Sequence, residues 1–154
     1  MRMARYFVFT YVDEKITAKA VLLDKEAPKT VEMLWRHAPF DGLAVHAIYS
    51  GTTVGLLFDP TIVVPMENAT THLQTRDLLF THYDAQTRYG HPDAVSEVYW
   101  AYDRFCRPVM PGAGLPVCPN VFGHFLDGCE EFFAASRRVA AEGAKRLTIA
   151  QHAD

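Results

Sequence analysis

Three side chains capable of acid–base chemistry stand at positions where a β-rich chain would present them. His46 lies in a β-type run, LAVHAIYS, in which alternation puts Val45, Ala47 and Tyr49 on the other side. It reads either as a base or ligand-orienting group, or as a partly buried histidine hydrogen-bonded to backbone. Glu67 and Asn68 open a polar loop after Pro65-Met66. A carboxylate beside an amide fits a general acid or base with its orienting partner, and fits also an Asx-type turn with a solvated glutamate. His82 shares a strand face with Leu78 and Phe80, whereas Leu79, Thr81 and Tyr83 share the other. If the leucine–phenylalanine face is the inner one, His82 stands at one rim; otherwise Tyr83 stands at the opposite rim.

Around these three, Tyr49, Asn68, Tyr83, Tyr102 and Arg104 are the candidates for holding a substrate. Val98, Trp100, Tyr102 and Arg104 form one alternating row, with Tyr99 and Asp103 opposite. Trp100 and Tyr102 serve as packing or as a ligand platform. Arg104, just past a strand end, suits a two-pronged grip on a carboxylate, or a plain loop-tethering ion pair. His72 and His91 sit in polar loops. The seven histidines show no H-x-H, H-x3-H or HExxH spacing, so neither a metal nor another cofactor is expected. Cys118 lies between Val117 and Pro119, with no base or cation that can be placed beside it to activate a thiol.

The elements that must position these groups follow from periodicity and punctuation. Arg5 to Val12 and Ile16 to Leu23 are β-type runs joined by Asp13-Glu14-Lys15, a hairpin. Pro28 opens a helix to His37, with Val31, Leu34, Trp35 and Ala38 as its apolar stripe. Pro39 and Gly42 end it and lead to a strand near Leu43–Tyr49. Further strands are expected over Thr52–Leu57, in TIVV between Pro60 and Pro65, and over Asp77–Tyr83, Ser96–Tyr102 and Val121–Leu126. Four prolines between Cys106 and Asn120 mark a semi-rigid flap. Asp127 with Glu130 reads as a capping box. A second helix follows, with Phe132, Phe133, Ser136, Val139 and Ala140 inward, Gly143 at its end, and a last strand at Arg146–Ala150.

At 154 residues the chain fits a single domain, 1–154, with a real core. A formal charge of −3 carries no polyanion footprint, which argues against nucleic acid and acidic membrane surfaces. The apolar runs are too short to span a bilayer, and the N-terminal run reads as a strand rather than a leader. Three cysteines without CxxC spacing argue against a disulfide framework, so a cytoplasmic location is expected.

Two blocks resemble the cyclophilins. APKTVEMLWRHAPFDGLAVHAI is similar to the segment in which an APKT helix leads through a Gly loop to a strand bearing FHRI. NVFGHFLDGCEEFFAASR with RLTIA is similar to the family's ending. The resemblance covers about 1–58 and 119–150 well and 59–118 poorly. It implies a mainly β fold, a closed eight-stranded β-barrel capped by two α-helices. The middle is closer to a family of uncharacterised bacterial cyclophilin-like proteins, known only as a domain of unknown function, which supplies no reaction. His124 falls where cyclophilins have an outward-facing side chain. The arginine that prolyl isomerases carry after the FHR-type histidine corresponds to Ala47, and the glutamine of their QGG run has no counterpart in TTVGLLF. Without that guanidinium no preorganised donor meets a twisted amide, so prolyl isomerase activity is not expected. Another arginine in the same place would overturn that reading.

The expectation is therefore a small-molecule enzyme, an acid–base lyase, isomerase or hydrolase acting on a small carboxylate or amide. The alternative is a non-catalytic ligand-binding or assembly module. A homo-oligomer is expected from the resemblance and from the prevalence of symmetric assemblies.

Overall fold

A computed structural model describes residues 3–58, 62–88, 90–109 and 117–154. Among them the chain forms β1 (Arg5–Tyr11), β2 (Ile16–Leu22), α1 (Pro28–His37), β3 (Phe40–His46) and β4 (Gly51–Phe58). There follow β5 (Asp77–Tyr83), β6 (Val95–Cys106), β7 (Asn120–Phe125), α2 (Glu130–Glu142) and β8 (Lys145–Ala153). The strands close into one antiparallel barrel in the order β1-β2-β7-β5-β6-β4-β3-β8, with β8 returning to β1. Among the described residues, closure gives every strand a neighbour on both sides. The eight-stranded barrel with two helices is the architecture that the resemblance implies.

Alternation drives the assembly. Along β1, Phe7, Phe9 and Tyr11 are buried while the residues between them are half-buried. Phe7 meets Trp35 of α1, and Phe9 and Tyr11 meet Phe132 of α2. The two helices therefore stopper opposite ends of the barrel. Pro28 occupies the first turn of α1, where its missing N–H is not needed, and Val31 and Leu34 are fully buried. Trp100, Phe9, Phe125 and Phe132 pack as a tilted aromatic cluster under α2. At its centre Ser136 Oγ donates to the Phe132 carbonyl (3.0 Å). The same oxygen accepts from Trp100 Nε1 (3.0 Å) and from the Tyr11 hydroxyl (2.8 Å).

Several local expectations are corrected. The third strand is Phe40–His46, not Leu43–Tyr49, because the chain pairs with β8 as soon as it leaves α1, Phe40 opposite Ile149. TIVV contributes no strand over residues 62–64; Ile62 is buried, and its carbonyl accepts from Ser96 Oγ instead of a neighbouring strand. Pro60 and Thr61 lie outside the described residues, as do 110–116 of the proline-rich flap. Cys129 takes the N-cap position of α2 without a side-chain bond, and Asp127 pairs with Arg76 (2.7 Å), so no capping box forms. The buried stripe of α2 is Phe132, Ala135, Ser136 and Val139, with Ala140 exposed; the i, i+3, i+4, i+7 rule turns Ala140 off the face. The last strand runs on to Ala153, since β1 offers partners as far as Arg5. The described helices include none long and apolar enough to cross a membrane.

Candidate functional site

Strands β4, β5 and β6 send Val54, Leu56, Leu78, Phe80, Val98 and Trp100 into the barrel core. Their alternate residues face outward, where other barrels would meet water. Here they are covered. Gly55, Leu57, Tyr83, Glu97 and Tyr99 form the floor of a cleft of about 210 Å³. One lip is the β3–β4 turn, from Ala47 to Ser50, and the other is Pro108, Val109 and Val117.

The lips are fastened together. Arg107 N–H donates to the Ser50 carbonyl (2.9 Å), and Val109 N–H donates to Ser50 Oγ (3.2 Å). Thr52 Oγ1 donates toward the carbonyls of Asp103 (2.8 Å) and Arg104 (2.7 Å). Gly51 makes this possible: its φ is +77°, and a Cβ there would lie 2.0 Å from the Phe105 carbonyl oxygen.

Glu97 is the unusual residue of the floor. Only 9 % of it is exposed, and Arg88 from the β5–β6 loop donates to Oε2 at 3.2 Å. Burial pushes the Glu97 carboxyl up, against the downward pull of Arg88. Gly55, paired with Tyr99 across β4 and β6, clears the space above it; a Cβ there would come within 2.9 Å of Tyr99 Cβ and 3.1 Å of Glu97 Oε2. Tyr99 shares a hydrogen bond with Thr81 Oγ1 (2.8 Å), and Tyr83 joins the same hydroxyl cluster. Burial and the nearby Glu97 carboxylate raise both phenols, so they remain protonated donors. The cleft thus combines a shielded carboxyl group, a guanidinium and two phenols.

The residues singled out from the sequence fall in several places. Tyr49 and Tyr83 line the cleft. His46 is at its edge. Its Nδ1 donates to the Ala47 carbonyl (2.8 Å), and Nε2 shares a hydrogen bond with the Tyr102 hydroxyl (2.7 Å). Tyr102 is buried in the barrel core beneath Arg137, whose guanidinium lies over its ring. Glu67 sits at the start of α1, accepting from Thr30 N–H (2.6 Å) and Thr30 Oγ1 (2.8 Å). Asn68 is exposed and donates to the Val121 carbonyl (2.8 Å). His82 Nδ1 donates to Ser96 Oγ (3.0 Å), whose own proton goes to Ile62. Arg104 is exposed and stacks over Phe105. His124 faces outward, 3.5 Å from Asp77. Among the described residues no three metal-ligating side chains converge.

Glu97 and Arg88 are the cleft residues that sequence reasoning passed over. Glu97 had one signal, a lone charge within the apolar run SEVYWAY. Arg88 had none, since it belongs to a polar loop.

Comparison with known proteins adds a family and a fold. The family model described as protein of unknown function DUF3830 matches residues 10–151. The structure of McbB in complex with tryptophan superposes with a TM-score of 0.66 at 17 % identity, over 94 % of this chain and 44 % of McbB. This chain thus spans less than half the length of that protein. The mimivirus cyclophilin superposes with a TM-score of 0.55 at 13 % identity, over 100 % of this chain and 90 % of that one. At such identities the likeness establishes a cyclophilin-like fold and nothing further. No curated protein matches the sequence.

Proposed function

We propose, on the premise that this chain belongs to the DUF3830 family of proteins of unknown function, that it is an acid–base enzyme acting on a small carboxylate or amide in the outer cleft. The observation that carries this reading is Glu97: a carboxyl group shielded from water, raised by burial, and open to a cleft lined with hydrogen-bond donors. A cleft carboxyl whose charged form is disfavoured by burial is the kind of group that a lyase, isomerase or hydrolase uses to move a proton. Arg88, Tyr83 and Tyr99 supply donors for charge that develops on an oxygen of the substrate. That a cyclophilin-like neighbour, McbB, is known in complex with tryptophan is in keeping with a small-molecule ligand on this scaffold.

In this reading His46 shapes the cleft wall through the Ala47 carbonyl and Tyr102. Glu67 and His82 hold segments 65–68 and 62 in place. Prolyl isomerisation remains disfavoured. Ala47 offers the cleft no side-chain donor, and the guanidinium that does enter, Arg88, comes from another element and is engaged by Glu97. A peptide cis–trans assay showing catalysis lost in Arg88→Lys would reverse this.

The direct test is turnover of a panel of small organic acids and amides, followed by Glu97→Gln on any substrate found. Loss of a general acid or base lowers kcat about 10²–10⁴-fold. Turnover unchanged in Glu97→Gln rejects the role given to this residue. Ligand binding at the cleft without turnover favours the non-catalytic binding module.

A further inference from the structure

We infer that the cleft ligand is a small neutral amide carried on a single ring, and that its N–H donates to Oε1 of Glu97. This rests on the acid–base reading of the cleft given above and chooses the amide over the carboxylate as its substrate class.

The fold leaves one acceptor open. Arg88 donates to Oε2 of Glu97 at 3.2 Å, as an ion pair. Among the described residues nothing donates to Oε1, although Glu97 is only 9 % exposed. Oε1 is not sealed inside the protein either, so what it meets is the cleft that Glu97 helps to line. Gly55 keeps the approach clear, since a Cβ there would lie 3.1 Å from the Glu97 carboxyl carbon. The hydroxyls nearby are engaged with one another: Tyr99 and Thr81 Oγ1 share a hydrogen bond (2.8 Å), and Tyr83 bonds into the same group. A ligand that displaces water from a shielded carboxyl oxygen must bring a donor of its own.

Charge then selects the donor. A ligand carboxylate has lone pairs only and would set them against those of Oε1. An ammonium would supply a proton but bring an unmatched positive charge into a space where Glu97 already matches a guanidinium. An amide N–H supplies the proton and no charge. Size and lining select the body. The cleft holds about 210 Å³, and Val45, Leu57, Pro108, Val109 and Val117 are among its walls. An apolar cavity of about 150 Å³ is enough for benzene, so one ring bearing an amide suits the space.

Benzamide, benzoate and acetophenone share nearly one shape and differ in carrying NH2, O⁻ or CH3 beside the carbonyl. In the isotopically labelled full chain at about pH 8, where benzoate is ionised, the backbone amide signals of Gly55 and Tyr99 report their binding. Benzamide is expected to bind at least about tenfold more tightly than either of the others, as a hydrogen bond to a charged acceptor implies. Glu97→Gln then reverses the polarity of the site. A guanidinium cannot accept a hydrogen bond, so the variant side chain must turn its carbonyl oxygen to Arg88 and its NH2 to the cleft. Acetophenone and benzoate should now find a donor, and the gap should close. The ratio is taken within one variant, so a general loss of stability does not alter it.

Benzoate or acetophenone binding the native chain as tightly as benzamide overturns the inference, as does a gap that persists in Glu97→Gln, or no shift of the two signals with any of the three. A native preference for benzoate would leave the acid–base reading standing on its carboxylate branch. Unchanged turnover in Glu97→Gln would instead remove that reading itself.

Discussion

At the scale of single residues, Gly55 and Glu97 are interdependent. The glycine is required not by its backbone angle but by what lies above it, the Tyr99 Cβ and the Glu97 carboxyl. Gly55→Ala should therefore displace the Glu97 carboxyl, weaken any cleft ligand, and cost about 1–3 kcal/mol as overpacking does. Denaturant unfolding together with a ligand titration checks both effects. Glu97 also makes a signed prediction about pH. Its folded value is raised above the ordinary 4.5, so its contribution to stability is complete below that pH and is lost as pH rises through the raised value. Glu97→Gln should flatten that part of the stability–pH curve. The carboxyl of Glu14, pulled down by Lys145 and Arg138, acts oppositely, losing its contribution as pH falls below its ordinary value. The difference between native and Glu97→Gln curves isolates the cleft residue.

At the scale of elements, the segment after β4 is held by polar contacts rather than by a strand ladder. Asn120 donates to Thr30 Oγ1 (3.0 Å) and to the Pro65 carbonyl (2.9 Å), while its own carbonyl accepts from Glu67 N–H (3.1 Å). Glu67 completes the network at the N-terminus of α1, where a negative charge is favoured by the helix dipole and by unpaired N–H groups. Glu67→Ala should cost about 1–2 kcal/mol, and Glu67→Gln less, because its amide oxygen still accepts from Thr30. Thermal unfolding of the two variants decides this. An equal loss in both would mean that charge, not hydrogen bonding, holds the segment.

At the scale of the whole molecule, the barrel is closed by pairing and filled by aromatic packing, and Ser136 ties one helix to two strands through that core. Removing its hydroxyl strands two buried donors, Trp100 Nε1 and the Tyr11 hydroxyl. Ser136→Ala should cost about 2–4 kcal/mol, more than Tyr11→Phe, which removes a donor together with its need for a partner. Comparison of their unfolding midpoints tests that order.

Periodicity alone was enough to read α1, β1 and β5, whereas the closed barrel was legible through the resemblance of two sequence blocks to the cyclophilins. An amphipathic helix opened by Pro28 and strands alternating as in β1 are properties of neighbouring residues. The β3–β4 turn, the corrected stripe of α2 and the missing capping box needed the tertiary pairing that sets where strands begin and where helices point. The cleft needed it most. Strand β6 is buried on both faces from Val95 to Tyr102, so no alternation distinguishes the side that carries Glu97 from the side that carries Trp100. Arg88, delivered by a loop, and Gly55, two strands away in sequence, meet Glu97 only because β4 and β5 both pair with β6. Local sequence determined the alternating strands and the amphipathic helix; long-range register decided how they close and that the Glu97 carboxyl would be kept from water.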